Sequence, residues 1–106
     1  MDLTTKKCVP CEGGVPSLST PEVTSLLSRL RDWKLRGTQI EKDYQFKNFV
    51  EALGFVNRVG EIAEKEGHHP DLLIYQFNKV RVNVWTHAVS GLTENDFILA
   101  AKIDQL

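Results

Sequence analysis

Two β-rich runs with almost nothing between them constrain this chain more than any other feature. Leu72 to Phe77 and Val80 to Thr86 are both rich in β-branched and aromatic side chains, and only Asn78 and Lys79 part them. Runs that close leave no length for a crossover connection, so they are expected to fold back as an antiparallel hairpin. An upstream pair repeats the pattern. Trp33 and Leu35 alternate with polar neighbours, Gly37 and Thr38 break the run, and Ile40, Tyr44 and Phe46 follow among charged residues. Four strands joined as hairpins make an antiparallel sheet, and helices with one apolar face each must cover it from one side.

Helical spacing supplies those helices. Thr20 followed by Pro21 and Glu22 has the form of a helix start, and Val23, Leu26, Leu27 and Leu30 fall on one face, which predicts a first helix over residues 21–31. Asn48 with Glu51 three residues on has the form of a capping box, Phe49, Ala52, Leu53, Val56 and Ala63 recur at helical spacing, and Gly67 ends the run. Thr93 can cap a last helix with Asp96 at its third position, its buried side drawn from Phe97, Ile98, Ala101 and Leu106. The expected fold class is therefore α+β: a four-stranded antiparallel sheet with three helices packed on one face, in the order α-β-β-α-β-β-α. Residues 1–19 lack periodicity and read as an irregular N-terminal arm, leaving residues 20–106 as one domain.

Charge and length remove several classes of function. Thirteen Lys and Arg against fourteen Asp and Glu give a net charge of -1, with the basic residues scattered, so no phosphate-tracking surface and no nucleic-acid partner are expected. No apolar run approaches the roughly 18 residues needed to cross a bilayer, and residues 1–7 lack a signal core; a cytoplasmic protein with no membrane partner is expected. Cys8 and Cys11 form a C-x-x-C in a Pro- and Gly-rich stretch outside any βαβ unit, and structural zinc needs more ligands than the pair supplies. They read as two reduced thiols in a flexible lead-in. A domain of 106 residues buries a modest fraction of its surface, so a homo-oligomer is expected.

All three histidines, His68, His69 and His87, lie within twenty positions. If Asn78-Lys79 is a two-residue turn, Phe77 faces Val80, Tyr75 faces Val82, and the register continued puts Pro70 opposite His87. His87, at the end of the last strand, then comes close to the His68-His69 corner. Val80, Val82 and Val84 alternate with Arg81, Asn83, Trp85 and His87, so His87 points away from the most apolar face. A lone histidine is more often structural than catalytic; three converging ones are not lone.

Glu64, then His68-His69-Pro70, an aromatic at Phe77, His87 and finally Asp96 follow one another as in the signature of the pterin-4a-carbinolamine dehydratases, which this chain resembles from about Trp33 to Asp104. The stretch from Cys8 to Gly14 is similar to the N-terminal arms of some members. The resemblance implies dimers or tetramers built on a sheet with helices on one side. It also implies dehydration of 4a-hydroxytetrahydropterin to quinonoid dihydropterin, with pterin as substrate and with no metal or organic cofactor. His68 and His87 are the implied acid/base pair, and His69 orients the C4a hydroxyl or shares the acid role. Pro70 restricts the backbone after the histidines. Glu64, Asp96 and Trp33 are supporting candidates for substrate contact or histidine orientation, although capping alone explains Asp96 and a strand-opening Trp is more often core. Asn95 stands where animal members carry a basic residue.

Two rival readings accompany this one. Animal members also serve as a dimerisation cofactor for a transcription factor, which makes a non-enzymatic, partner-binding role the alternative. A metal enzyme using His68, His69 and His87 as ligands is the third, weakened because adjacent residues on a strand face opposite sides.

Overall fold

A computed structural model of the chain describes residues 3–6, 8 and 17–106. Cys11, and with it half of the C-x-x-C, lies outside the described residues. The elements are α1 (Thr20–Leu27), β1 (Lys34–Arg36), β2 (Gln39–Gln45), α2 (Phe49–Glu66), β3 (Asp71–Tyr75), β4 (Lys79–Val84) and α3 (Glu94–Ile103), the order read from the sequence. Short 3-10 turns sit at Leu3–Thr5 and His87–Val89. The strands form one antiparallel sheet in the order β1-β2-β4-β3, so the two hairpins meet through β2 and β4.

The second hairpin differs from its expected register. Tyr75 pairs with Lys79 and Leu73 with Arg81, so the turn holds Gln76, Phe77 and Asn78 rather than Asn78 and Lys79. Gln76 and Phe77 both take positive φ, 48° and 54°. The reason lies in the faces. The observed register sets Ile74 opposite Val80 and Leu72 opposite Val82, which gathers Leu72 and Ile74 with the buried valines on one face and leaves Leu73 exposed on the other, whereas the two-residue turn would have opposed Tyr75 to Val82. Burial of that face outweighs the strain of left-handed backbone at two non-glycine residues. Pro70 is consequently not opposite His87, and β4 ends at Val84, before Thr86 and His87.

Ile40, Val80, Val82 and Val84 are fully buried beneath the helices, with Phe97, Ile98, Leu99 and Ile103 of α3 and Ala52, Phe55 and Val59 of α2 completing the core. The last helix is buried along almost its whole length, more than its sequence spacing indicated. It stops at Ile103, leaving Leu106 exposed instead of buried. On α2 the buried stripe is Ala52, Phe55, Val59 and Ala63, while Phe49 and Leu53 stay exposed on its flank. The first helix is capped by Ser19 rather than Thr20 and ends at Leu27, four residues short of expectation; Ser19 and Glu22 form the capping box.

Asp104, at the C-cap of α3, ties that end of the helix to the sheet. Its carboxylate accepts from Trp33 Nε1 (2.9 Å), Lys42 Nζ (2.8 Å) and the Tyr44 hydroxyl (2.5 Å). Burial and the Asp104 carboxylate together push the Tyr44 hydroxyl well above its ordinary pKa. The described part of the N-terminal arm is also docked. Leu3 is buried in the core, Lys6 pairs with Glu94 (3.0 Å), and the Cys8 N–H donates to Glu66 (2.9 Å). Glu66 in turn pairs with Lys102 at 2.7 Å.

Phe97→Ala is expected to destabilise the fold by about 3–5 kcal/mol through the cavity it leaves, measured as a lower urea midpoint at unchanged m-value. Burial alone raises the Glu66 carboxyl, but the bonds from Lys102 and the Cys8 N–H outweigh it and hold the group below the ordinary carboxylate range. A depressed folded-state pKa contributes stability that is present above the unfolded value, about 4.3 for Glu, and is lost as pH falls through the folded one. The stability advantage of wild type over Glu66→Gln should therefore be complete at neutral pH and fade below about pH 4, as chemical denaturation across pH would show.

Candidate active site

Three segments converge where the histidines lie. Gly67 closes α2 in the left-handed region (φ 64°), which a glycine adopts without Cβ strain. His68 N–H still bonds back to the Ala63 carbonyl (3.2 Å), so the chain turns from helix to strand over a few residues with His68 held at the corner. Its Nε2 lies 2.6 Å from Asp96 Oδ1. Asp96 is fully buried in the first turn of α3.

The other oxygen of Asp96 is equally occupied. Asp96 Oδ2 accepts the Thr86 hydroxyl and the Thr93 backbone N–H, both at 2.9 Å, and the two threonine hydroxyls lie 2.9 Å apart. Three donors thus compensate the burial of one carboxylate. The capping and the functional readings of Asp96 are therefore compatible, since one oxygen caps the helix and the other meets the histidine. An ionised carboxylate only accepts, so the contact assigns a proton to His68 Nε2.

His87 opens the 3-10 turn after β4 and is exposed, its ring 4.3 Å from that of Trp85. His68, His69 and His87 line one open cleft of about 350 Å³ together with Trp85 and Thr86. The expected proximity therefore holds although the register that predicted it does not. The three-residue shift brings the His68-His69 corner level with Trp85 and Thr86, and the chain after β4 carries His87 to the same opening.

His69 is more exposed than His68, and its Nε2 stands 3.6 Å from Glu64 Oε1 in solvent, a pairing worth little by itself. Glu64, Pro70 and His69 line a neighbouring groove along α2, so His69 belongs to both openings. Trp33 is not at the cleft; it is buried and bonded to Asp104. Among the described residues no group of three or more His, Cys, Asp or Glu is arranged to hold a metal ion.

Sequence reasoning did not single out Thr86 or Trp85. A signal for Thr86 was present. It continues the inward alternation of Val80, Val82 and Val84, and a hydroxyl buried there must find a partner. Trp85 is partly buried against the edge of the core, and its ring lies beside that of His87.

Residues 16–106 match the family model described as pterin 4 alpha carbinolamine dehydratase. A Nitrosospira multiformis protein, by name a candidate pterin-4-alpha-carbinolamine dehydratase, is 50% identical over 105 residues, covering 99% of this chain and 92% of its own. A Rickettsia canadensis protein of the same name is 51% identical over 104 residues, covering 96% and 94%. The crystal structure of a Brucella melitensis protein described as a transcriptional coactivator/pterin dehydratase superposes with a TM-score of 0.78 at 33% identity, over 84% of this chain and 96% of that one. A pterin dehydratase-like protein described as a RuBisCO assembly factor of the alpha-carboxysome shares the fold alone, with a TM-score of 0.60 at 18% identity over 71% and 88% of the two chains.

Thr86→Val keeps the shape but removes one donor from a buried carboxylate, at an expected cost of about 1–3 kcal/mol. Thr86→Ser should recover most of it, both measured by urea denaturation.

Proposed function

Because the chain belongs to the pterin-4a-carbinolamine dehydratase family, we propose that it catalyses loss of water from 4a-hydroxytetrahydropterin by histidine acid/base chemistry, giving quinonoid dihydropterin in tetrahydropterin recycling. The observation that carries this reading is the shared cleft of His68, His69 and His87, with His68 already oriented by a buried carboxylate.

The C4a hydroxyl is a poor leaving group until protonated, and the adjacent ring N5 drives it out only if the N5 proton is finally removed. One acid and one base complete the balance: hydroxyl and proton leave as water, and the nitrogen lone pair becomes the new C=N bond. Imidazole, with an ordinary pKa near 6.5, serves as either near neutrality. His68 and His87 are assigned the acid/base roles, and His69 orients the hydroxyl. Asp96 acts through His68, fixing its tautomer much as a carboxylate orients a histidine in other proton-transfer sites. Trp85 offers a flat face beside the cleft suited to a planar ring, Pro70 stiffens the corner, and Glu64 sits beside His69. Trp33 supports the core. Protons alone are moved, so neither a metal nor an organic cofactor enters the scheme.

We assign the active form to a homodimer or homotetramer, as the family resemblance implies, and place it in the cytoplasm. No described helix is long and apolar enough to cross a membrane. The Brucella melitensis relative is described as transcriptional coactivator as well as dehydratase, which makes partner binding the second reading. A His68→Ala protein that loses dehydration yet retains a protein partner would separate the two roles.

In an assay on freshly generated 4a-hydroxytetrahydropterin, His68→Ala and His87→Ala are each expected to lower turnover by about 10²- to 10⁴-fold with circular dichroism unchanged. Wild-type turnover in both variants would refute the assignment.

A further inference from the structure

The docked part of the N-terminal arm meets the fold at the joint that holds His68. Glu66 is the last residue of α2, two positions before His68, and Asn95 directly precedes Asp96. Cys8 touches both: its N–H donates to Glu66 Oε1 (2.9 Å), and its Sγ–H to the Asn95 carbonyl (3.5 Å). The other Glu66 oxygen accepts Lys102 Nζ of α3 (2.7 Å), and both side chains are largely withdrawn from solvent, Lys102 at 15% and Glu66 at 11% exposed. Leu3 seats the arm in the core at 3% exposed, whereas the Lys6–Glu94 pair is partly exposed and adds little.

The Cys8 contacts bridge the end of α2 and the first turn of α3, next to His68 and Asp96, while Lys102 ties Glu66 to the last turn of α3. The thiol is not set up to react. Burial, reinforced by Glu66, pushes the Cys8 pKa up to about 12, so it stays protonated and acts as a donor to the Asn95 carbonyl.

We propose that residues 3–6 and Cys8 form a strap that positions the His68–Asp96 pair, acting through Glu66 and the first turn of α3 without touching the substrate. The 2.6 Å contact between His68 and Asp96 spans two helices whose relative placement no covalent link sets. Core packing sets it coarsely, and at the joint itself Cys8 joins Glu66 to the Asn95 carbonyl beside the Glu66–Lys102 pair. A displacement of about 1 Å at such a joint costs up to about 100-fold in rate, so positioning residues outside the cleft should appear in turnover. The catalytic consequence rests on the dehydratase reading, whereas the geometric one does not.

The test compares Glu66→Ala, Glu66→Gln and Leu3→Ala with Lys6→Ala, which removes only a partly exposed ion pair. Two readouts are taken: kcat and KM for dehydration, and the ¹⁵N signals of the His68 ring, which report the proton on Nε2 whether or not the protein turns over. Glu66→Ala and Leu3→Ala should lower kcat by about 10- to 100-fold with KM within about twofold, and should shift the His68 ring signals. Glu66→Gln, which keeps an acceptor for the Cys8 N–H, should recover part of both, and Lys6→Ala should resemble wild type. If Glu66→Ala does not fold, Leu3→Ala carries the same two readouts. A folded Leu3→Ala or Glu66→Ala protein with wild-type kcat and an unmoved His68 signal would overturn the strap. If wild type itself shows no dehydration, the functional reading fails and the nitrogen signals alone still decide the strap.

Discussion

A single buried carboxylate organises this molecule. Asp96 sits in the first turn of α3 with no exposed surface, where an isolated charge would be prohibitively costly. It is tolerable only because His68, Thr86 and Thr93 bring donors to it from the end of α2, the end of β4 and the cap of α3. The requirement runs in both directions. The carboxylate needs all three segments in place, and each segment is held by its claim on the carboxylate. The geometry around His68 is thus a by-product of keeping one buried charge satisfied.

The opposite end of α3 repeats the arrangement with a different balance. Asp104 lies at the helix C-cap, where the macrodipole disfavours a negative charge, and Trp33, Lys42 and Tyr44 of the β1–β2 side compensate. The helix is therefore pinned at both ends, one against the site and one against the sheet. Sliding or rotation of α3 would break polar contacts at both of its ends. The N-terminal strap adds a third fixing point on the side of α2.

Much of this was legible along the chain. The seven elements, their order and the sheet's handling of its apolar face follow from alternation, helical spacing and caps such as Asn48 and Gly67, all of which are local properties. The histidine cluster was also legible, but through a register that is off by three residues. Asn78-Lys79 is an unremarkable dipeptide for a tight turn, and nothing local announces that Gln76 and Phe77 will take positive φ. Only the match of Ile74 and Leu72 with Val80 and Val82 across the sheet selects that turn, and such a match is a property of two strands at once. Thr86 escaped notice for a related reason, because a threonine after three valines reads as more strand until the carboxylate it serves is seen beneath it.

Taken alone, the order of residues determined the secondary elements, the α+β class and the set of side chains with chemistry to offer, since each depends on neighbours within a turn or two. Tertiary structure alone decided which of those side chains meet. It set Asp96 both at the cap of α3 and against His68, bonded the core Trp33 to Asp104, and laid the arm with Cys8 across the joint between α2 and α3. The physical reason is that buried charges and apolar faces are satisfied between segments remote in sequence, and the free energy that chooses their pairing belongs to no one of them.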